Sequence, residues 1–182
     1  MGRLLSVSNH GELVGLILAA APRCGPVRVV AVDGGAASGK TTLANELAGQ
    51  LPGCAVLHTD ELLDGWSGQF SFGQRLRDEV LAPLADGRPG RYRRYDWNLG
   101  RFAELVAVAV PGILIVDGVS AIDACASELS LGIFLDVPRA VRQRRWEVRD
   151  GPMKPAWLAW LDAEDHYFAR HPLADEVIVI RG

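Results

Sequence analysis

Leu13, Leu16, Ile17 and Ala20 recur at helical spacing and are followed by Pro22 and Gly25, which predicts a short amphipathic helix ahead of the core. Val27 to Val32 is a continuous apolar run rich in β-branched residues, the pattern of a strand covered on both faces. After a glycine-rich stretch, Leu43, Leu47 and Leu51, with Ala44 and Ala48 beside them, make an apolar helical stripe that Pro52 and Gly53 terminate. The order is strand, loop, helix.

Further strands are predicted at Ala55 to His58, Ile113 to Asp117, Leu131 to Val137 and Glu176 to Ile180. Helical patterns lie near Phe72 to Ala85, Pro138 to Arg149 and Ala156 to Arg170. Five short buried strands with helices between them imply a parallel α/β sheet. Gly87 to Gly100 breaks the rhythm: it is rich in Gly, Arg and Tyr with little core periodicity, and reads as an inserted hairpin or loop over the site. There is no internal repeat and no low-complexity tail.

Composition narrows the picture. A chain of 182 residues, 49% hydrophobic and 23% charged, is sized for one domain over 1–182. A net charge of -3 gives no general reason to bind a polyanion, so any anion site should be local. Cys24, Cys54 and Cys125 are odd in number and widely spaced, without a CxxC pair, which points to buried reduced thiols. The N-terminus lacks a basic region leading into an uninterrupted apolar span, and Gly11 to Ala21 is too short to cross a bilayer. The expectation is a cytoplasmic protein without membrane or nucleic-acid partners.

Of the nineteen basic residues only Lys40 and Lys154 are lysine. Lys40 stands in "AVDGGAASGKTT", where Gly34, Gly39, Lys40 and Thr41 match G-x-x-x-x-G-K-[ST] between the predicted strand and helix. In such a loop, here Gly34, Gly35, Ala36, Ala37, Ser38, Gly39, Lys40, Thr41 and Thr42, backbone N–H groups turn toward phosphate oxygens and the following helix directs its positive end at them. Lys40 would place a compact ammonium on the β and γ phosphates of ATP, and Thr41 would offer its hydroxyl to Mg²⁺. Arginine's planar fork would not fit there.

"HTDELLDGW" puts Asp60 at the carboxyl end of the second strand, on the sheet edge that also carries the phosphate loop. A carboxylate there can accept the proton of an acceptor hydroxyl and orient it for in-line attack; capping the next helix, or holding Mg²⁺ through water, are the other roles open to it. Glu61 and Asp64 are read as solvated or supporting. "ILIVDGV" ends another apolar run in Asp117, which occupies the position of a carboxylate that orients Mg²⁺, or else caps its strand.

"PRAVRQRRWEVRDG" carries five arginines in eleven positions, with Arg142, Arg145 and Arg149 on one helical face. Such a segment, about 138–152, can close over a nucleotide and neutralise its phosphates; a solvated helix paired with Glu147 and Asp150 is the alternative. On the insert, "RYRRYDW" presents Arg93, Arg94, Tyr95, Asp96 and Trp97, a mixture suited to a polar acceptor such as a nucleoside or sugar. Interleaved basic and aromatic residues also suit single-stranded nucleic acid, a weak case in an acidic chain.

Together these residues, from about Val27 to Ile180, resemble the uridine kinase-like branch of the P-loop nucleoside and nucleotide kinases; "GGAASGKTT" is the most specific part of the likeness. The resemblance implies a P-loop NTPase three-layer sandwich with a five-stranded parallel sheet, a helical arginine lid and a small acceptor-site insert. It implies ATP and Mg²⁺ as cofactors and transfer of the γ-phosphoryl to a hydroxyl of a nucleoside-like acceptor. Asp60 then matches the base, Tyr95 and Asp96 a "YD" element lining the acceptor site, and Arg145 and Arg149 the lid arginines that touch phosphates. The family's D-x-x-Y would place tyrosine where this chain has Leu63, and its Glu-Gly appears as Asp117-Gly118. A kinase for a nucleoside monophosphate or another metabolite, and a regulatory ATPase switch, are the competing readings; no guanine-reading N-K-x-D is present.

Overall fold

The protein is described by a computed structural model, which covers residues 3–6, 10–174 and 177–182. Its centre is a fully parallel sheet built from β1 (Arg3–Ser6), β2 (Arg28–Gly34), β3 (Cys54–His58), β6 (Ile113–Asp117), β7 (Leu129–Asp136) and β8 (Ile178–Arg181). The spatial order is β1-β8-β7-β2-β6-β3. The five strands read from apolar runs are all in this sheet, and β1 adds a sixth at its edge. Glu176, at the start of the expected last strand, lies outside the described residues; the strand itself begins at Ile178.

The apolar run of β2 is explained by two cores. Val29 and Ala31 point to one face and Val30 and Val32 to the other, as the period of two in a strand demands. Leu114 and Val116 of β6 repeat the division against Ile113 and Ile115. One face is covered by α1 (His10–Ala19), through Leu13 and Ile17, and by α2 (Lys40–Ala48), through Leu43, Ala44 and Leu47. The other is covered by the helical stretch 73–85 and by α5 (Ala121–Ala124), α6 (Arg139–Asp150) and α7 (Pro155–Arg170), which contribute Leu76, Leu84, Ile122, Trp146 and Leu161. The result is a three-layer α/β sandwich. Within 73–85, α3 (Gly73–Leu76) and α4 (Ala82–Ala85) are joined by a π-helical turn, Arg77–Leu81, where the expected helix was continuous.

Residues 90–108 form an antiparallel hairpin apart from the main sheet, β4 (Gly90–Asp96) with β5 (Arg101–Val108). Its inner face is tied to the turn after β3: the Tyr92 hydroxyl donates to the Glu61 carboxylate, and Trp97 Nε1–H donates to the Asp60 carbonyl at 3.1 Å. Cys24 and Cys125 are buried, Cys54 half-buried, and all three are free thiols. Among the described residues no helix is long and apolar enough to cross a membrane.

Candidate active site

β2 sits between β6 and β7, and its C-terminal end runs straight into the glycine-rich loop, so the loop stands at a carboxyl edge of the sheet where open α/β folds gather ligands. Gly39 takes a φ of 103°, a left-handed conformation that suits glycine, and α2 starts at the next residue. Lys40 is only 9% exposed; its ammonium crosses the loop and donates to the Gly35 carbonyl at 3.0 Å. The same carbonyl accepts Ser38 N–H at 3.1 Å. Asp33, just before the loop, is consumed by backbone: it accepts N–H from Gly34 (2.6 Å), Ser120 (2.9 Å) and Ile122 (3.1 Å), binding the loop to the segment after β6. Burial nonetheless pushes the Asp33 carboxyl up to about 6 against the opposing effect of those hydrogen bonds and of Lys40.

In front of the loop lies a cleft of about 630 Å³, the size of a small-molecule site. Ala36, Ala37, Gly39, Lys40, Thr41 and Thr42 form its floor, and Asp60, Asp117, Arg145 and Arg149 converge on it with Trp66, Trp97 and Trp160. Asp60 occupies a short 3₁₀ turn, Thr59–Glu61, directly after β3. Open to the cleft on one side, it is crowded by protein on the others; this loss of hydration raises its pKa, Lys40 works against the rise and Asp117 with it.

Asp117 ends β6 beside His58, its register partner at the end of β3. His58 Nδ1 and Asp117 Oδ1 are 2.6 Å apart, and that hydrogen bond raises the histidine pKa against its partial desolvation. The other carboxylate oxygen, Oδ2, is buried without a hydrogen-bond partner among the described residues, and Asp117 as a whole is 3% exposed. A buried orphan acceptor at the cleft fits a cation. Gly118, next in the chain, has to be glycine for reasons of space: a Cβ there would lie 1.7 Å from Thr59 Oγ1.

Not every expected residue reaches the cleft. Arg145 and Arg149 line it, and Arg145 also donates to the Ser38 carbonyl at 3.1 Å. Arg142 does not line it; its guanidinium is buried behind the loop, paired with Glu164 at 2.7 Å and Asp165 at 3.1 Å and donating to the Val137 carbonyl at 3.1 Å. Of the insert residues only Trp97 lines the cleft. Tyr95 faces the hairpin's packed side, its ring against Trp97 and Phe102 and its hydroxyl close to Gly65. Asp96 caps the hairpin turn by accepting the Asn98 and Leu99 amides, above all the latter, which lower its pKa. Arg93 donates to the Ala103 carbonyl. The alternation of side chains along β4, interrupted by an irregularity between Arg93 and Tyr95, assigns these three to the hairpin's own structure.

Sequence reasoning did not reach His58, Trp66, Trp160 or Glu164. The indoles of Trp66 and Trp97 meet edge to face at 5.3 Å, as do those of Trp66 and Trp160 at 5.4 Å. All three line the cleft, and Trp97 is the one that donates to the Asp60 carbonyl. "DGW", part of the quoted stretch around Asp60, already contained Trp66 and was its only signal.

No family model matches the chain. It is 28% identical over 140 residues to a uridine kinase of Staphylococcus haemolyticus, covering 67% of this chain and 68% of that protein. With a uridine kinase of Staphylococcus carnosus it shares 26% over 140 residues, 67% of each. Among solved structures, a possible uridine kinase from Bacillus stearothermophilus superposes with a TM-score of 0.68 at 20% identity, over 94% of this chain and 97% of that one. A putative fructose transport system kinase from Silicibacter superposes equally well, at 0.68 and 19% identity, over 93% and 98%. These two likenesses are likenesses of fold.

The loop, the sheet that presents it and the sequence relatives support an ATP-dependent phosphotransferase acting on a small molecule, built on the fold of the P-loop kinases. Within that class it is uridine kinase-like.

Proposed function

We propose that this chain transfers the γ-phosphoryl group of ATP to a hydroxyl of a nucleoside-like acceptor. The observation that carries the reading is that Lys40 and Asp60 line one cleft together with Trp66, Trp97 and Trp160. The loop amides and Lys40 would hold the phosphates, and Arg145 and Arg149 would neutralise charge on the transferred group. Thr41 and the free Oδ2 of Asp117, oriented through Oδ1 by His58, would hold Mg²⁺, whose chemistry is to screen the phosphate oxygens.

Asp60 would accept the proton of the acceptor hydroxyl as its oxygen forms the bond to the γ-phosphorus, and the bond from that phosphorus to the β–γ bridging oxygen breaks to release ADP. Indole faces suit a planar base or the apolar face of a sugar, and the Asp60 carboxylate supplies the base that a hydroxyl acceptor needs and an acceptor that is already a phosphate does not. This favours a hydroxyl acceptor over a monophosphate. The test is a split in Asp60→Asn: turnover with nucleosides should fall by roughly 10²–10⁴ while ATP affinity holds within a few-fold. Unchanged turnover would remove Asp60 as the base, and transfer to monophosphates alone would remove the hydroxyl acceptor.

A further inference from the structure

Behind the glycine-rich loop, outside the lining of the cleft, a single carboxylate gathers four hydrogen-bond contacts. Glu164 of α7 is 0% exposed. Its two oxygens share the Ala36 N–H at 2.9 and 3.0 Å; Oε1 also accepts the Trp160 Nε1–H at 2.7 Å, and Oε2 accepts Arg142 Nη1 at 2.7 Å. An acid is seldom buried this completely unless every lone pair is used, and here a backbone amide, an indole and a guanidinium use them.

What makes the arrangement consequential is the peptide it grips. The Ala36 N–H and the Gly35 carbonyl belong to one planar unit, so fixing the direction of the N–H fixes the direction of the C=O. That carbonyl is where the Lys40 ammonium rests, at 3.0 Å, and where the Ser38 amide closes the loop's turn. Through its other partner, Glu164 sets the indole of Trp160, one helical turn earlier on the same face of α7, which in turn packs against Trp66 in the cleft.

We infer that Glu164 is a positioning residue for phosphoryl transfer, orienting the Gly35–Ala36 peptide, and through it Lys40, while fixing the Trp160 indole in the cleft. The inference rests on the proposed kinase reading, since it assigns Lys40 to phosphate. It predicts a dependence on a hydrogen-bond acceptor at position 164 rather than on negative charge there. Arg142 is present to balance that charge, so an uncharged pair tests the point without leaving a buried ion alone.

The experiment compares Arg142→Leu/Glu164→Gln with Arg142→Leu/Glu164→Leu. The glutamine carbonyl can still accept both the Ala36 and Trp160 N–H groups, as Oε1 does; leucine cannot. MgATP affinity by titration calorimetry is expected within about threefold of wild type for the glutamine pair and at least tenfold weaker for the leucine pair, with the indole ¹H–¹⁵N resonance of Trp160, assigned through Trp160→Phe, moved in the leucine pair only. Equal affinity in the two pairs, weak or tight, overturns the inference. In the wild type, amide exchange at Ala36 supplies an arm independent of any variant's folding: exchange slowed at least a hundredfold is expected, and exchange at the rate of an open loop overturns it. A wild type that binds no MgATP would instead remove the kinase reading, and the exchange and indole measurements would still decide whether Glu164 holds the loop.

Discussion

Gly35→Ala is a one-methyl change whose consequence can be worked out atom by atom. A Cβ at position 35 would stand 2.2 Å from Arg142 Nη1, 2.5 Å from its Cζ and 2.9 Å from its Nε. The guanidinium has nowhere to retreat, being held by Glu164 at 2.7 Å, Asp165 at 3.1 Å and the Val137 carbonyl at 3.1 Å. Forcing a methyl into a packed site costs about 1–3 kcal/mol, and breaking a buried ion pair about 3–5 kcal/mol. The cheaper route, with partial loss of the pair, still amounts to about 3 kcal/mol. In a domain of this size that lowers the melting temperature by roughly 6–12 °C. Thermal and urea unfolding followed by circular dichroism measure it, in wild type and in the Arg142→Leu/Glu164→Leu background, where the methyl meets no guanidinium and should cost less than about 1 kcal/mol. A Gly35→Ala protein that melts with the wild type, or that loses as much stability in the background lacking Arg142, refutes the reasoning.

Further expectations concern protons and the tryptophans of the cleft. Because the protein packed around Asp60 raises its pKa although the carboxylate opens on the cleft, the acid limb of the turnover profile should lie above the usual carboxylate range, with activity rising as pH rises through it; a limb at an ordinary position, or one kept in Asp60→Asn, contradicts the assignment. Asp33 titrates near 6 in the folded chain and near 3.8 unfolded, so the native state binds the extra proton between those values, and its contribution makes stability fall as pH rises from about 4 to about 6, by roughly 2–3 kcal/mol. Comparing urea denaturation of wild type and Asp33→Asn across that window should show this negative component of the slope lost in the variant; identical slopes would refute it. Trp66→Ala should raise the acceptor KM about tenfold or more, with the KM for ATP unchanged, because stacking on an aromatic face contributes about 1–3 kcal/mol; an equal rise in both constants would place Trp66 outside acceptor recognition.

The strand, loop and helix around Lys40 were legible because each has a local cause: an apolar run divided between two cores, glycines where the backbone turns, and a helical leucine stripe. β1 was not, since four residues carry too short a pattern and the strand depends on pairing with β8 from the other end of the chain. Asp60 and Asp117 were legible as cleft residues because one follows β3 and the other ends β6 at the same edge of the sheet. The arginine helix was legible as a charged face, but periodicity alone could not tell Arg145 and Arg149, which reach the cleft, from Arg142, which Glu164 draws behind the loop. Glu164 itself sits inside an amphipathic pattern where an acid normally faces water; only the approach of α7 to the loop, 128 residues away in sequence, gives it a role. The "YD" pair looked like ligand chemistry, while the hairpin uses Tyr95 to pack and Asp96 to cap its own turn.

The central claim is transfer to a hydroxyl, and ³¹P NMR of the wild type with MgATP and a panel of nucleosides, nucleoside monophosphates and sugars tests it most directly. The account predicts ADP and a new phosphomonoester in equal amounts with a nucleoside-like acceptor, both lost in Lys40→Ala. ADP with inorganic phosphate and no phosphorylated acceptor, or phosphorylation confined to monophosphates, would contradict it.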